Sequence, residues 1–115
     1  MKKKNDIKEI KLKGIVACIG KASGRVVHVR SSQDISRVEK GDVVVTDKIT
    51  SEYTLAFLKA SAVISLRGGV TCHAAIICRE YGIPSVVSCI EAFDLLNDGV
   101  VGCLETKKLS FTLVG

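Results

Sequence analysis

The 115-residue chain has no tryptophan and one proline, and its aromatic residues are only Tyr53, Phe57, Tyr81, Phe93 and Phe111. That is too few for the stacking platforms on which single-stranded nucleic acid is held, so no nucleic-acid partner is expected. No stretch approaches the roughly 18 apolar residues that read as a membrane span. The lysine-rich start is interrupted by Asp6, Lys8 and Glu9, so it lacks the apolar run of a signal peptide. The chain therefore reads as soluble and cytoplasmic, with no membrane partner. Neither Cys-x-x-Cys nor a Cys-x-x-Cys with paired histidines occurs. The five cysteines (Cys18, Cys72, Cys78, Cys89 and Cys103) read as free thiols of a reducing compartment. A zinc site from Cys72, His73 and Cys78 has the spacing rules against it, and no metal is expected.

What is present suits one small globular domain. Hydrophobic residues make up 47% and charged residues 25%, enough for a real core with an ordinary surface. The net charge of +5 is unevenly placed. Residues 1–13 hold six lysines against Asp6 and Glu9, which leaves eleven cations and ten acids in the rest of the chain. Residues 1–13 are expected to be a lysine-rich flexible arm, and residues 14–115 a single domain.

Gly14 to Ile19 and Arg25 to Arg30 are apolar, β-branched runs around Gly20–Gly24, which predicts two paired strands joined by a turn. Gly41-Asp42 marks a turn before a buried strand at Val43–Val45. Thr50 or Ser51 is placed to cap a helix to about Ala60, with Leu55, Phe57 and Leu58 on its apolar side. Ala62 to Ser65 reads as another strand. After Gly68-Gly69, Thr71 is placed to cap a second helix that stops at Gly82, with Pro84 beyond. Strands follow at Ser85–Ser88, Val100–Leu104 and Leu109–Leu113. Alternating strands and helices in the centre mean βαβ units, hence an α/β fold with a partly parallel central sheet and flanking helices; the outer strands are expected to be antiparallel additions. His28, alternating with Arg30, reads as a surface residue.

Chemistry concentrates in Arg67-Gly-Gly-Val-Thr-Cys-His-Ala-Ala-Ile-Ile-Cys-Arg79. A histidine here opens a helix directly after a glycine pair that ends a strand. First-turn N–H groups lack helical partners and sit at the positive end of the helix dipole, and glycines let the backbone approach closely. Such a place accepts an anion such as phosphate. The positive helix end also disfavours imidazolium, leaving His73 a lone pair for attack on phosphorus. A half-exposed histidine bonded to a neighbour would have the same residues, and these alone leave both readings open.

Residues 68–87, Gly-Gly-Val-Thr-Cys-His-Ala-Ala-Ile-Ile-Cys-Arg-Glu-Tyr-Gly-Ile-Pro-Ser-Val-Val, resemble the signature of the swivelling phosphohistidine domain of phosphoenolpyruvate-utilising enzymes. Thr-Cys-His is the form familiar from the phosphoenolpyruvate synthase (pyruvate, water dikinase) branch. Gly41–Thr46 and the Gly20–Gly24 segment extend the resemblance over residues 14–104. It implies a single swivelling β/β/α domain, the non-autonomous phosphohistidine component of a phosphotransferase. His73 would be the covalent nucleophile and Thr71 the residue that orients it. Gly68, Gly69 and Arg67 would meet the phosphate, and Arg79, about 9 Å of helical rise from His73, would serve docking. The domain itself would bind no cofactor. ATP and magnesium would belong to an ATP-grasp partner, and pyruvate or another acceptor to a further partner. The chain departs from the family pattern at four places: Leu66 replaces a polar or acidic residue, Ser88 a glycine, Thr50-Ser51-Glu52 lacks the usual proline, and Gly102–Leu109 has lost an Asp-Gly turn, a surface change. Leu66 and Ser88 motivate the alternative of a degenerate mobile domain that acts as a binding or regulatory module without phosphotransfer.

Overall fold

A computed structural model describes residues 8–114. The strands are β1 (Lys8–Lys11), β2 (Ile15–Cys18), β3 (Lys21–Val29), β4 (Val43–Thr46), β5 (Ala62–Ser65), β6 (Ser85–Val87), β7 (Val101–Glu105) and β8 (Ser110–Leu113). The helices are α1 (Thr54–Lys59), α2 (His73–Tyr81) and α3 (Ala92–Leu95), with 3-10 turns at Ser32–Arg37 and Ser51–Tyr53. The eight strands run in the order β1-β8-β7-β3-β4-β5-β6-β2. From β3 to β6 the pairing is parallel, and every other pairing is antiparallel. The α/β architecture with a partly parallel sheet is therefore present.

β3 belongs to two pairings at once. Lys21–Arg25 runs antiparallel to β7, and Val26–Val29 runs parallel to β4. The β7–β8–β1 part can thus cross one face of the parallel part. Leu12, Leu104 and Phe111 accordingly share a buried core with Val26, Val43, Val45, Ile64 and Val86. Side chains alternate across a strand, so Val27, Val44 and Val63 point the other way and pack with Ala56 and Phe57 of α1 and Ala74 and Cys78 of α2. The layers are sheet, sheet and helices. Buried on both faces, the parallel strands carry the near-continuous apolar runs such strands require.

Five expectations change. Residues 8–13 are not arm: β1 pairs with β8, and Leu12 lies in the core. Its charged residues sit on a sheet edge, where they discourage pairing with other chains. Residues 1–7 of the expected arm lie outside the described residues. β2 and β3 do not pair with each other, because β2 joins β6 at the far edge. Gly24 is a strand residue opposite Gly102 rather than part of a turn. In α1 the inward stripe is Tyr53, Ala56, Phe57 and Ala60, which leaves Leu55 and Leu58 exposed. His28 is buried beneath α3 rather than at the surface.

His28 anchors a polar latch at this end of the sheet. Its ring lies 4.8 Å from that of Phe93, and its Nε2–H donates to the Leu96 carbonyl at 2.5 Å. Asp98 accepts from the His28 N–H at 2.7 Å and from Arg37 at 2.8 Å. Partial burial pushes the Asp98 carboxyl up, but those two donors outweigh it and hold the group below the usual carboxylate range. A carboxylate depressed in the folded state adds stability above its unfolded value of about 3.9, and that stability is lost as pH falls through the folded value. Asp98→Asn should therefore cost about 1 kcal/mol at pH 7. Urea titrations at falling pH should show the variant and parent curves converging in acid. A gap that stays constant down to pH 2 would contradict this account.

Candidate functional site

Two loops at the carboxyl ends of neighbouring parallel strands build the site. The first follows β5. Ser65 Oγ donates to the Arg67 carbonyl at 2.9 Å and accepts from the Arg67 N–H at 3.1 Å, while the Ser88 N–H donates to the same carbonyl at 3.3 Å. This pinned backbone leads into Gly68, whose φ is +91°. A Cβ here would also press on Cys72 Sγ at 2.8 Å and Ile49 Cδ1 at 3.3 Å, so both conformation and space require glycine. Gly69, by contrast, has nothing within 4 Å of where a Cβ would stand. Its carbonyl accepts the Cys72 N–H at 3.1 Å and closes the turn.

Because that turn closes on itself, α2 begins one residue later than expected. Cys72 holds the N-cap position without a side-chain cap bond, and His73 is the first helical residue. Thr71 is exposed in the turn, so the cap assigned to it falls at Cys72. The hydroxyl that reaches the imidazole belongs to Thr54, with Oγ1 2.8 Å from His73 Nε2. The second loop, after β4, supplies it. The Ile49 carbonyl of this loop also accepts the Ala74 N–H at 3.2 Å. Among the described residues, the His73 and Ala75 N–H groups have no backbone acceptor, but Ala75 is fully buried, so of the expected anion cradle only the His73 N–H stays open beside the ring.

The other site residues separate. Arg67 is exposed, and no ion pair among the described residues uses it. Arg79 donates to the Ala17 carbonyl at 3.4 Å, which ties α2 to β2 at the sheet edge. Apolar side chains near these positions in sequence are exposed: Val70 in the preceding turn, Ile76 three residues along α2, and Leu55 next to Thr54. Cys72 is half-buried beneath Gly68, whereas burial pushes the Cys78 thiol up to about 11, which keeps it protonated. Among the described residues no three His, Cys, Asp or Glu side chains form a metal-binding group, and no helix is long and apolar enough to cross a membrane.

Sequence reasoning missed Thr54, which lies 19 positions before its partner. The signal that leads to it is topological. Successive βαβ units set the starts of their helices side by side at the carboxyl ends of the strands, so the residue opening α1 falls next to the residue opening α2.

Residues 38–106 match the family model for the PEP-utilising enzyme, mobile domain. The chain belongs to this family. A probable phosphoenolpyruvate synthase of Archaeoglobus fulgidus is 43% identical over 100 residues, covering 87% of this chain and 13% of that protein. The phosphoenolpyruvate synthase of Escherichia coli is 46% identical over 90 residues, covering 76% of this chain and 11% of that one. The chain thus spans only about an eighth of the curated relatives it matches. Among solved structures, an Enzyme I (nEIt) protein aligns with TM-score 0.56 and 22% identity over 69% of this chain and 33% of that one. Thermococcus kodakaraensis aconitase X aligns with TM-score 0.65 and 15% identity over 94% of this chain and 99% of that one. At such identities these two structures speak for the fold of the mobile domain alone. Of the departures from the family pattern, Leu66 packs against the inter-sheet core and Ser88 takes φ 59°. Glycine takes that conformation freely, and serine at a cost of about 1 kcal/mol.

Proposed function

We propose that this mobile domain is a phosphoryl carrier with His73 as its covalent nucleophile. The observation that carries the reading is the position of His73: it is the first residue of α2, half-exposed, and its own backbone N–H has no backbone acceptor among the described residues. An imidazole lone pair attacks phosphorus, the P–O bond to the donor's leaving phosphate breaks, and the leaving oxygen takes the electron pair. The open His73 N–H and the helix dipole favour the added negative charge. Arg67 is the side chain we assign to the phosphate oxygens, and Gly68 and Gly69 shape the approach. Arg79, exposed at the end of α2, is the side chain we assign to docking with a partner.

The donor in this reading is ATP with magnesium on an ATP-grasp partner, and the acceptor is pyruvate or a related molecule on another partner. The synthase relatives have room for both, since this chain matches only a small share of their length. A carrier without phosphotransfer, acting as a binding module, is the weaker reading. Leu66 and Ser88, which motivate it, engage the core and the Arg67 backbone and take no group away from His73.

The test is intact-protein mass after incubation with ATP, magnesium and an Escherichia coli phosphoenolpyruvate synthase whose own mobile-domain histidine has been replaced. Samples are kept alkaline, because phosphohistidine is acid-labile. A gain of one phosphoryl mass that acid removes and pyruvate discharges is the expected result. No gain, with an intact synthase labelled under the same conditions, would turn the assignment toward the binding module.

A further inference from the structure

The chain between β1 and β2 has to cross from one edge of the sheet to the other. It passes close to β6 at Gly14, where a Cβ would stand 2.7 Å from Val86 Cγ1 and 2.8 Å from the Val87 carbonyl oxygen. Beside this crossing the chain leaves β6 through Ser88, at φ 59°, toward α3. Between the two segments lies a groove of about 490 Å³, a size that suits a small organic ligand. Its floor is preformed. Cys89 is buried there, and its N–H donates to the Ser65 carbonyl at 2.9 Å, next to the bond from Ser88 to Arg67.

The walls combine apolar surface with positive charge. Ile90 and Ile15 are 75% and 48% exposed, and half-buried Leu95 lines the same groove. Lys11 and Lys13 line it as well. Lys13 forms no ion pair among the described residues, and Lys11 reaches only the exposed Glu9 at 3.9 Å. Glu91 is the single acid of the lining, so the balance of charge favours an anion. No aromatic ring lines the groove, which leaves a nucleotide base nothing to stack on.

We propose that this groove is a binding site for a small carboxylate with an aliphatic body. The carboxylate lies with Lys13 and Lys11, and the chain covers Ile15, Ile90 and Leu95. None of the residues assigned to the phosphate lines the groove, so the site stands whether or not His73 carries a phosphoryl group.

Backbone-amide NMR of the isotope-labelled protein, titrated with octanoate, tests this. Amides of residues 11–15 and 88–95 should move together and saturate, with a Kd of about 1 mM for so small a ligand. Octanol, which has the body without the charge, should move the same amides, and acetate should not. Lys13→Gln should weaken octanoate about threefold, as for an exposed ion pair, and leave octanol unchanged. Ile90→Ser should weaken both about tenfold. Both variants replace exposed side chains, so the fold is kept. Octanoate that leaves these amides unmoved, or moves those around Leu55 and Ile76 as much, would overturn the proposal. So would an equal response to acetate, or a loss of octanol binding in Lys13→Gln as large as that of octanoate.

Discussion

Replacing His73 by alanine is expected to abolish phosphoryl uptake while leaving the fold in place. Removal of a covalent nucleophile typically costs on the order of a thousandfold or more in rate. The only other histidine, His28, offers no substitute. It packs in the core between the sheets, away from α2, and its Nε2 is committed to the Leu96 carbonyl. The structural cost should be small, because the only side-chain hydrogen bond His73 makes among the described residues is to Thr54. Losing it costs about 1 kcal/mol, or roughly 5 °C in melting temperature for a domain of this size. His73→Gln, which retains a hydrogen-bonding group for Thr54, should be as inactive and closer to the parent in stability. Uptake that persists in both variants would remove His73 from the mechanism.

The second large effect concerns the fold. Gly24→Ala should lower stability by about 3 kcal/mol, the upper part of the usual range for overpacking. Gly24 and Gly102 stand opposite each other where β3 passes from β7 to β4. A Cβ on Gly24 would run into the Gly41 carbonyl oxygen, and one on Gly102 into the Thr112 carbonyl and the Phe111 ring. These obstacles are backbone or fully buried aromatic, so neither can swing aside. Against a total of about 5–15 kcal/mol, such a loss should lower the melting temperature by about 15 °C. Gly69→Ala is the contrast, with nothing within 4 Å and an expected change within about 0.5 kcal/mol. Thermal unfolding followed by circular dichroism compares the two. Equal melting temperatures would mean that the crossing at Gly24 is looser than described.

The central parallel strands were legible because burial on both faces leaves little room for polar residues. Val43–Thr46 and Ala62–Ser65 are buried throughout. The end of α2 was legible too, since Gly82 adopts φ 68° and the Ile83 N–H closes on the Cys78 carbonyl at 2.8 Å. β1 was hidden because an edge strand bearing Lys8, Glu9 and Lys11 looks like solvated chain until its partner β8 is known. Gly24 misled because glycine marks turns in sequence, whereas here it permits a close crossing of backbones. His28 looked superficial because the covering residues, Phe93 and Leu96, lie far along the chain. The histidine of the site could be read from its local motif, but the hydroxyl beside it could not. Thr54 and His73 meet only through the order of strands and helices, and Thr71, nearer in sequence, faces solvent.

The pairing of β1 with β8 has a mechanical consequence. Lys8 stands opposite Leu113, so the two ends of the described chain leave from neighbouring positions on one sheet edge. Tension applied between these ends acts across the ladder, along its hydrogen bonds, rather than along the strands. The four paired positions from Lys8 to Lys11 would give way one after another at low force, like a zipper. The β3–β6 strands that carry the His73 loop would bear little load until the edge had peeled.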